Sequence, residues 1–369
     1  MSEKKPEWQA HLWLGADLAH WLRLMGQARF RFSWKHLHVA PIGLAVCLSH
    51  SFLRVVQNRL HPPSTFPDLV PPIFILGHWR SGTTLLHELL ITDPAHGFPT
   101  TYQCFDPLHP LLTEKLVRDN FQWLLPQKRP MDNMEIGWDR PQEDEFALAL
   151  MGLPSPYNWM AFPNEGYPSY DLLNIDSLPA RQQLQWERGL MHFLKMLQYN
   201  DSRRLVLKSP THTCRIPTLM RMFPDARFIY ITRDPYSVYP STVNLWKRLT
   251  LAQGLQVPKL PDLEHHVVRT YRHVIERYQN TRKLIPDKQL YEIRYEDLVA
   301  NPRDSIASIY QHLSLGDFER IQPGLDGYLT VHANYEKNKW QMDPAMIKYI
   351  NDNLSDLLLS QCYPVRSVG

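Results

Sequence analysis

Glycines, hydroxyls and a cation gather in Gly77-His-Trp-Arg80-Ser81-Gly82-Thr83-Thr84. Ile73 to Leu76 precede this stretch as a short apolar run of the kind that forms a fully buried strand. Leu85, Leu86, Leu89 and Leu90 follow at helical spacing. Strand, glycine turn and helix together line up backbone N–H groups at a helix N-terminus, which is a cup for phosphate. A second stretch, Arg233-Asp-Pro-Tyr-Ser-Val-Tyr-Pro-Ser241, offers a bidentate guanidinium and a hydroxyl. Asp234 suits the cap of a helix opening at Pro235, and Pro240 is expected to bend or interrupt that helix.

The first loop has the G-x-x-x-x-G spacing of a P-loop, yet Thr83-Thr84 stand where a nucleotide-triphosphate site carries Lys-Ser or Lys-Thr. Its cation is Arg80, inside the loop. A phosphoryl group carries several charges and is normally handled with Mg²⁺. A sulfuryl group carries one charge, which fixed donors and one or two cationic side chains can meet. The loop therefore leans towards sulfuryl transfer. Lys208 lies at the end of the apolar run Leu205-Val-Leu, with His212 just beyond. Arg140-Pro-Gln-Glu143-Asp-Glu145 opens a helix near Pro141. Its acids suit the helix dipole, and one of them could equally take a proton from a hydroxyl. Glu143 is favoured, Glu145 then being a solvated or dipole-compensating acid, and His212 is the reserve base.

The elements that must position these groups read as an α/β fold, a P-loop-type parallel sheet flanked by helices. Arg204–Lys208, a helix face through Ile216, Leu219, Met220 and Phe223, and Asp225–Thr232 make a βαβ unit. Ligands of such sheets sit at the carboxyl ends of strands, so Arg80, Lys208 and Arg233 gather along one rim. Pro99–Phe105 reads as a second strand and loop, Leu111–Leu125 as a helix, and 262–284 as helical. Gln289–Tyr295 reads as a strand, and a last helix is expected from Pro344 to about Leu359. The aromatic stretch Pro154–Tyr170 suggests a loop over an apolar acceptor pocket. Residues 1–70 read as an N-terminal helical extension and 71–369 as the main domain.

A formal charge of +3 and the lack of basic runs interleaved with aromatics exclude a nucleic-acid binder. The four cysteines form no C-x-x-C pair and read as reduced cytoplasmic thiols. The 17 histidines are scattered without acidic partners at ligand spacing, so no metal site is expected. No secretory leader is read at the start. In the most apolar window, Val39–Phe52, Pro41, Gly43, His50 and its shortness argue against a membrane span. The stripe Leu12, Leu14, Leu18, Trp21, Leu22, Met25 beside Arg23, Arg29 and Arg31 fits a packed helical cap, or peripheral membrane contact through residues 8–60.

The two loops together resemble the sulfotransferases that use 3′-phosphoadenosine 5′-phosphosulfate (PAPS), and Tyr295-Glu-Asp-Leu-Val-Ala-Asn-Pro302 resembles a further segment of that family. The likeness spans roughly residues 71 to 345. It is nearest the bacterial branch, while Arg80-Ser-Gly-Thr-Thr84 resembles the loop of the protein-tyrosine enzymes. The resemblance implies that Ser81, Gly82, Thr83 and Thr84 hold the 5′-phosphate and that Arg233 and Ser241 hold the 3′-phosphate. Arg80 and Lys208 would meet charge at the transferring group, and Asn338-Lys339 would stand in for a C-terminal cofactor-binding signature. The acceptor would be a small-molecule or lipid hydroxyl, and no metal would be needed. Where the protein-tyrosine branch carries a glutamate some twenty residues after the loop, this chain reads Pro99-Thr-Thr-Tyr102. A P-loop kinase and a non-catalytic nucleotide-binding protein on the same fold are the alternatives.

Overall fold

Ile73–Leu76 (β1) contains no polar residue, and each of its side chains is fully buried, as an apolar run with strands on both sides requires. A computed structural model describes residues 11–124, 137–332 and 342–368. In it β1 is the middle strand of a five-stranded sheet with β2 (His96–Gly97), β3 (Arg204–Lys208), β4 (Arg227–Thr232) and β5 (Leu290–Arg294), in the order β2-β3-β1-β4-β5. Every pairing is parallel. Ile75 lies opposite Lys208 on one side and Ile229 on the other. The chain adds β2 and β3 on one side of β1, then crosses to add β4 and β5 on the other. Such a reversal opens a crevice at the carboxyl end of the central strand, where Gly77–Gly82 begins.

In chain order the first helices are α1 (Leu18–Gln27), α2 (Val39–Leu60), α3 (Thr83–Leu90), α4 (Thr101–Phe105), α5 (Pro110–Asn120), α6 (Asp144–Leu150) and α7 (Ala180–Leu197). They are followed by α8 (Ile216–Met222), α9 (Pro235–Gln253), α10 (Leu263–Thr281), α11 (Tyr295–Ala300), α12 (Pro302–Leu313), α13 (Gln322–Val331) and α14 (Pro344–Ser360). The chain forms two compact units. One comprises 70–98, 202–244 and 262–369, the other 1–69, 99–201 and 245–261.

The sheet belongs to the first of these. Leu86, Leu89 and Leu90 of α3 close over Ile73 and Ile75, joined by Ile229, Ile231, Ile306 and Ile309. In the other unit α1 packs on α2, and α4 and α7 pack on α6. Trp13, Trp21 and Trp186 are buried there.

Three local expectations change. Pro99–Phe105 is not a strand: Thr100 accepts the Gln103 amide, Gln103 reaches back to the Thr100 amide, and this capping box opens α4. Pro240 does not interrupt α9, which runs on to Gln253. Its fixed φ suits a helix, and only one amide is missing from the ladder. The apolar window at Val39 belongs to a longer helix than expected, because α2 has 22 residues. Among the described residues the segment Trp34–Leu60 is the one helical stretch long and apolar enough to cross a membrane, with mean hydropathy 1.7 and 17% of its apolar window buried.

Candidate active site

The loop after β1 is built from backbone outward. Gly77 donates its amide to Thr213 Oγ1 (2.8 Å), and that hydroxyl donates to the Gly77 carbonyl (3.0 Å). Thr213 belongs to the turn after β3, the strand beside β1. Arg80 stands at φ +69, in the left-handed region that a long side chain seldom occupies. Gly82 caps α3 at φ +103, and a Cβ there would lie 2.2 Å from the Tyr295 ring. Glycine is thus required twice over, for its φ and for the ring against it. Beyond Gly82 the first amides of α3 have no acceptor within the helix and carry the positive end of its dipole.

Ser81 braces the turn between the two glycines. Its amide and its hydroxyl both donate to the His78 carbonyl (3.1 and 2.8 Å), so it closes the loop on itself. Burial pushes the His78 imidazole down to about 4, so this ring under the loop is neutral at pH 7.

The second stretch converges on the first. Arg80 Nε donates to Ser241 Oγ (2.8 Å), and Arg233 donates to the Arg80 carbonyl (3.2 Å). The Arg233 guanidinium lies 4.2 Å over the Tyr295 ring. Asp234 caps α9 by accepting the Tyr236 amide (3.0 Å), while its own amide donates to Glu296 (3.1 Å). Tyr295 and Glu296, with Thr213, are the positioning residues that sequence reasoning missed. The Tyr-Glu-Asp motif was visible, but its task was not. One side chain carries Arg233 and fills the space beside Gly82, and the next holds the start of α9.

Lys208 ends β3 and is 1% exposed, in register with Ile75 of β1. His212 is fully buried, with its ring edge-on to Phe74 at 5.3 Å. Glu143 and Glu145 belong to the other unit. Glu143 is the N-cap residue of α6, half-buried, and accepts the Tyr157 hydroxyl. Glu145 is fully buried rather than solvated, and accepts the Ser155 hydroxyl. Lys339, with Asn338, lies outside the described residues.

A parallel sheet whose central strand feeds a glycine-bounded loop at a helix N-terminus, with Arg233 and Ser241 folded onto that loop, is the framework of a group-transfer enzyme. Residues 71–319 match the profile of the Sulfotransferase family, and the chain belongs to that family. The omega-hydroxy-beta-dihydromenaquinone-9 sulfotransferase Stf3 of Mycobacterium bovis is 39% identical over 356 residues, covering 95% of this chain and 91% of that protein, and its counterpart in Mycobacterium tuberculosis matches to the same extent. Among solved structures, sulfotransferase STF9 of Mycobacterium avium superposes with a TM-score of 0.64 at 20% identity, covering 92% of this chain and 88% of that one. STF1 of Mycobacterium tuberculosis gives 0.63 at 20% identity, covering 85% and 88%. The protein is a sulfotransferase acting on an acceptor still to be identified, and both alternatives, a kinase and a non-catalytic binder, fall with that assignment.

Proposed function

We propose that the enzyme takes the sulfuryl group from PAPS without a metal ion and gives it to the hydroxyl of an apolar, lipid-like acceptor. The observation that carries this reading is the joining of the two anion loops through Arg80, Ser241 and Arg233. In it the amides of Gly82, Thr83 and Thr84 hold the 5′-phosphate, with Ser81 fixing the turn. Arg233 and Ser241 hold the 3′-phosphate. Lys339 supplies a further cation to the nucleotide, as the family resemblance implies. Arg80 and Lys208 stabilise charge on the bridging and sulfuryl oxygens as the S–O bond to the 5′-phosphate breaks. Glu143 takes the proton of the acceptor hydroxyl as its oxygen bonds to sulfur, leaving a sulfate ester and adenosine 3′,5′-bisphosphate. Half-burial and the Tyr157 hydrogen bond support Glu143 over the sealed Glu145.

A lipid-like acceptor is supported by the relatives named for a hydroxylated menaquinone. It is also supported by a cavity of about 420 Å³ in the helical unit, walled by Leu24, Leu153, Trp159 and Phe162. The exposed apolar side chains Leu44, Leu48, Phe52 and Val55 of α2, beside exposed Arg29, Arg31 and Lys35, support peripheral contact with an anionic membrane surface. Cytoplasmic location accords with the cysteines, none of which forms a disulfide among the described residues.

The test is transfer of ³⁵S from labelled PAPS to a series of alcohols, phenols and hydroxylated isoprenoids, with no added Mg²⁺. Transfer to an apolar hydroxylated acceptor is expected. Glu143→Gln should keep affinity for adenosine 3′,5′-bisphosphate and lose about 10²–10⁴-fold in turnover. A requirement for Mg²⁺, or full turnover by Glu143→Gln, would overturn the mechanism.

A further inference from the structure

Three side chains of the helical unit, far apart in sequence, converge on one point. His50 projects from α2, Asp106 ends α4, and His109 opens α5. His50 Nδ1 lies 3.2 Å from Asp106 Oδ1, His109 Nε2 lies 3.3 Å from the same oxygen, and the three atoms all fall within 4.8 Å of one another. All three atoms are sealed from solvent, and none makes a hydrogen bond of acceptable geometry. Two rings that merely bridged the carboxylate would aim an N–H at it. Here the nitrogens stand within reach of the oxygen without doing so.

We propose that His50, Asp106 and His109 form a binding site for a divalent transition cation of the zinc class. Ligand atoms about 2.0–2.1 Å from a tetrahedral ion stand about 3.3–3.4 Å apart, which the two short separations match. Two imidazoles and one carboxylate suit zinc or cobalt, whereas Ca²⁺ and Mg²⁺ demand oxygen ligands. The surroundings hold the ligands in a form ready to bind. The Thr113 hydroxyl donates to the His109 carbonyl (2.9 Å), so it accepts from His109 Nδ1 (2.9 Å), and the lone pair is left on Nε2, inside the cluster. The Tyr102 hydroxyl lies 2.7 Å from both Asp106 Oδ2 and Thr113 Oγ1, and its contact with Oδ2 leaves Oδ1 to the two rings. His109 is 2% exposed, so this is no surface histidine patch. The ion would pin α2 to the turn between α4 and α5. The site is independent of the proposed donor and acceptor chemistry, because none of its residues takes part in it.

The experiment uses the full chain without an affinity tag, stripped by chelator. Co²⁺ is titrated in by visible absorption and Zn²⁺ by calorimetry. One equivalent of Co²⁺ with the intense bands of a four- or five-coordinate site, displaced by one equivalent of Zn²⁺, is expected. Asp106→Asn and His109→Gln should abolish it, and Tyr102→Phe should weaken affinity by about 10–100-fold. Zn²⁺ should raise the thermal midpoint of the native chain and leave that of His50→Gln unmoved, a readout that does not depend on the buried variants folding. No saturable binding by the native chain up to about 1 mM ion, or equal binding by the native chain and Asp106→Asn, would overturn the proposal.

Discussion

Arg80 occupies a backbone conformation that costs about 1–3 kcal/mol unless its surroundings impose it. Two contacts impose it here, from its own Nε to Ser241 and from Arg233 to its carbonyl. Arg233 therefore has two possible duties, gripping a phosphate and bracing the loop, and they can be separated. Arg233→Ala should weaken binding of adenosine 3′,5′-bisphosphate by about 1.5–3 kcal/mol and leave adenosine 5′-phosphate almost unaffected in calorimetry. Equal losses for both nucleotides would assign the side chain to bracing alone. Arginine and serine were legible at this scale because their types and spacing announce anion chemistry. Thr213 was not, since a threonine in a turn looks like any other. Only the pairing of β3 with β1 brings its hydroxyl to Gly77. Nor did closeness in sequence to Lys208 tell that the His212 ring packs edge-on to Phe74.

At the scale of elements, the loop after α3 is anchored by Asp93. Its carboxylate accepts the Ala95 amide (2.8 Å), the Tyr310 hydroxyl of α12 (2.7 Å) and two nitrogens of Arg320 (2.9 and 2.7 Å). Burial alone would raise its pKa, but Arg320, the Ala95 amide, Tyr310 and His96 outweigh it and hold the carboxyl at about 2. The folded value lies below the unfolded one. The stabilisation, about 2–3 kcal/mol, is thus complete above roughly pH 4 and is lost as pH falls towards 2. Urea unfolding measured from pH 5 downwards should show a steep acid limb that Asp93→Asn flattens. Arg320→Met should cost about 3 kcal/mol at pH 7 by leaving a buried carboxylate without its main partner. The βαβ framework was readable because buried parallel strands are continuous apolar runs between breakers. The short α4 was misread, since five residues are too few for a period to show and only the Thr100–Gln103 cap marks them. Pro240 was given too much weight, because one absent hydrogen bond does not stop a helix of 19 residues.

At the scale of the whole molecule, the helical unit takes its residues from three separate stretches of chain. Sequence inspection treats neighbours as partners, so the convergence of His50 on Asp106 and His109 was out of its reach, and only Asp106-x-x-His109 was local. The start of α2 was readable as an apolar window, but which of its side chains meet solvent was not. Replacing Leu48 and Phe52, 56% and 66% exposed, by serine should lower binding to anionic vesicles about tenfold or more, with affinity for adenosine 3′,5′-bisphosphate unchanged. Flotation with vesicles at low and high salt measures this, and equal flotation of the native and substituted chains would leave α2 without a membrane role. The ring beside Gly82 also sets a clock. Gly82 leaves the ribosome early, whereas Tyr295, which fills the space against it and carries Arg233, follows more than two hundred residues later. At about 5–20 residues per second that interval is roughly 10–40 s, during which the nascent enzyme carries the anion loop but cannot yet complete its grip.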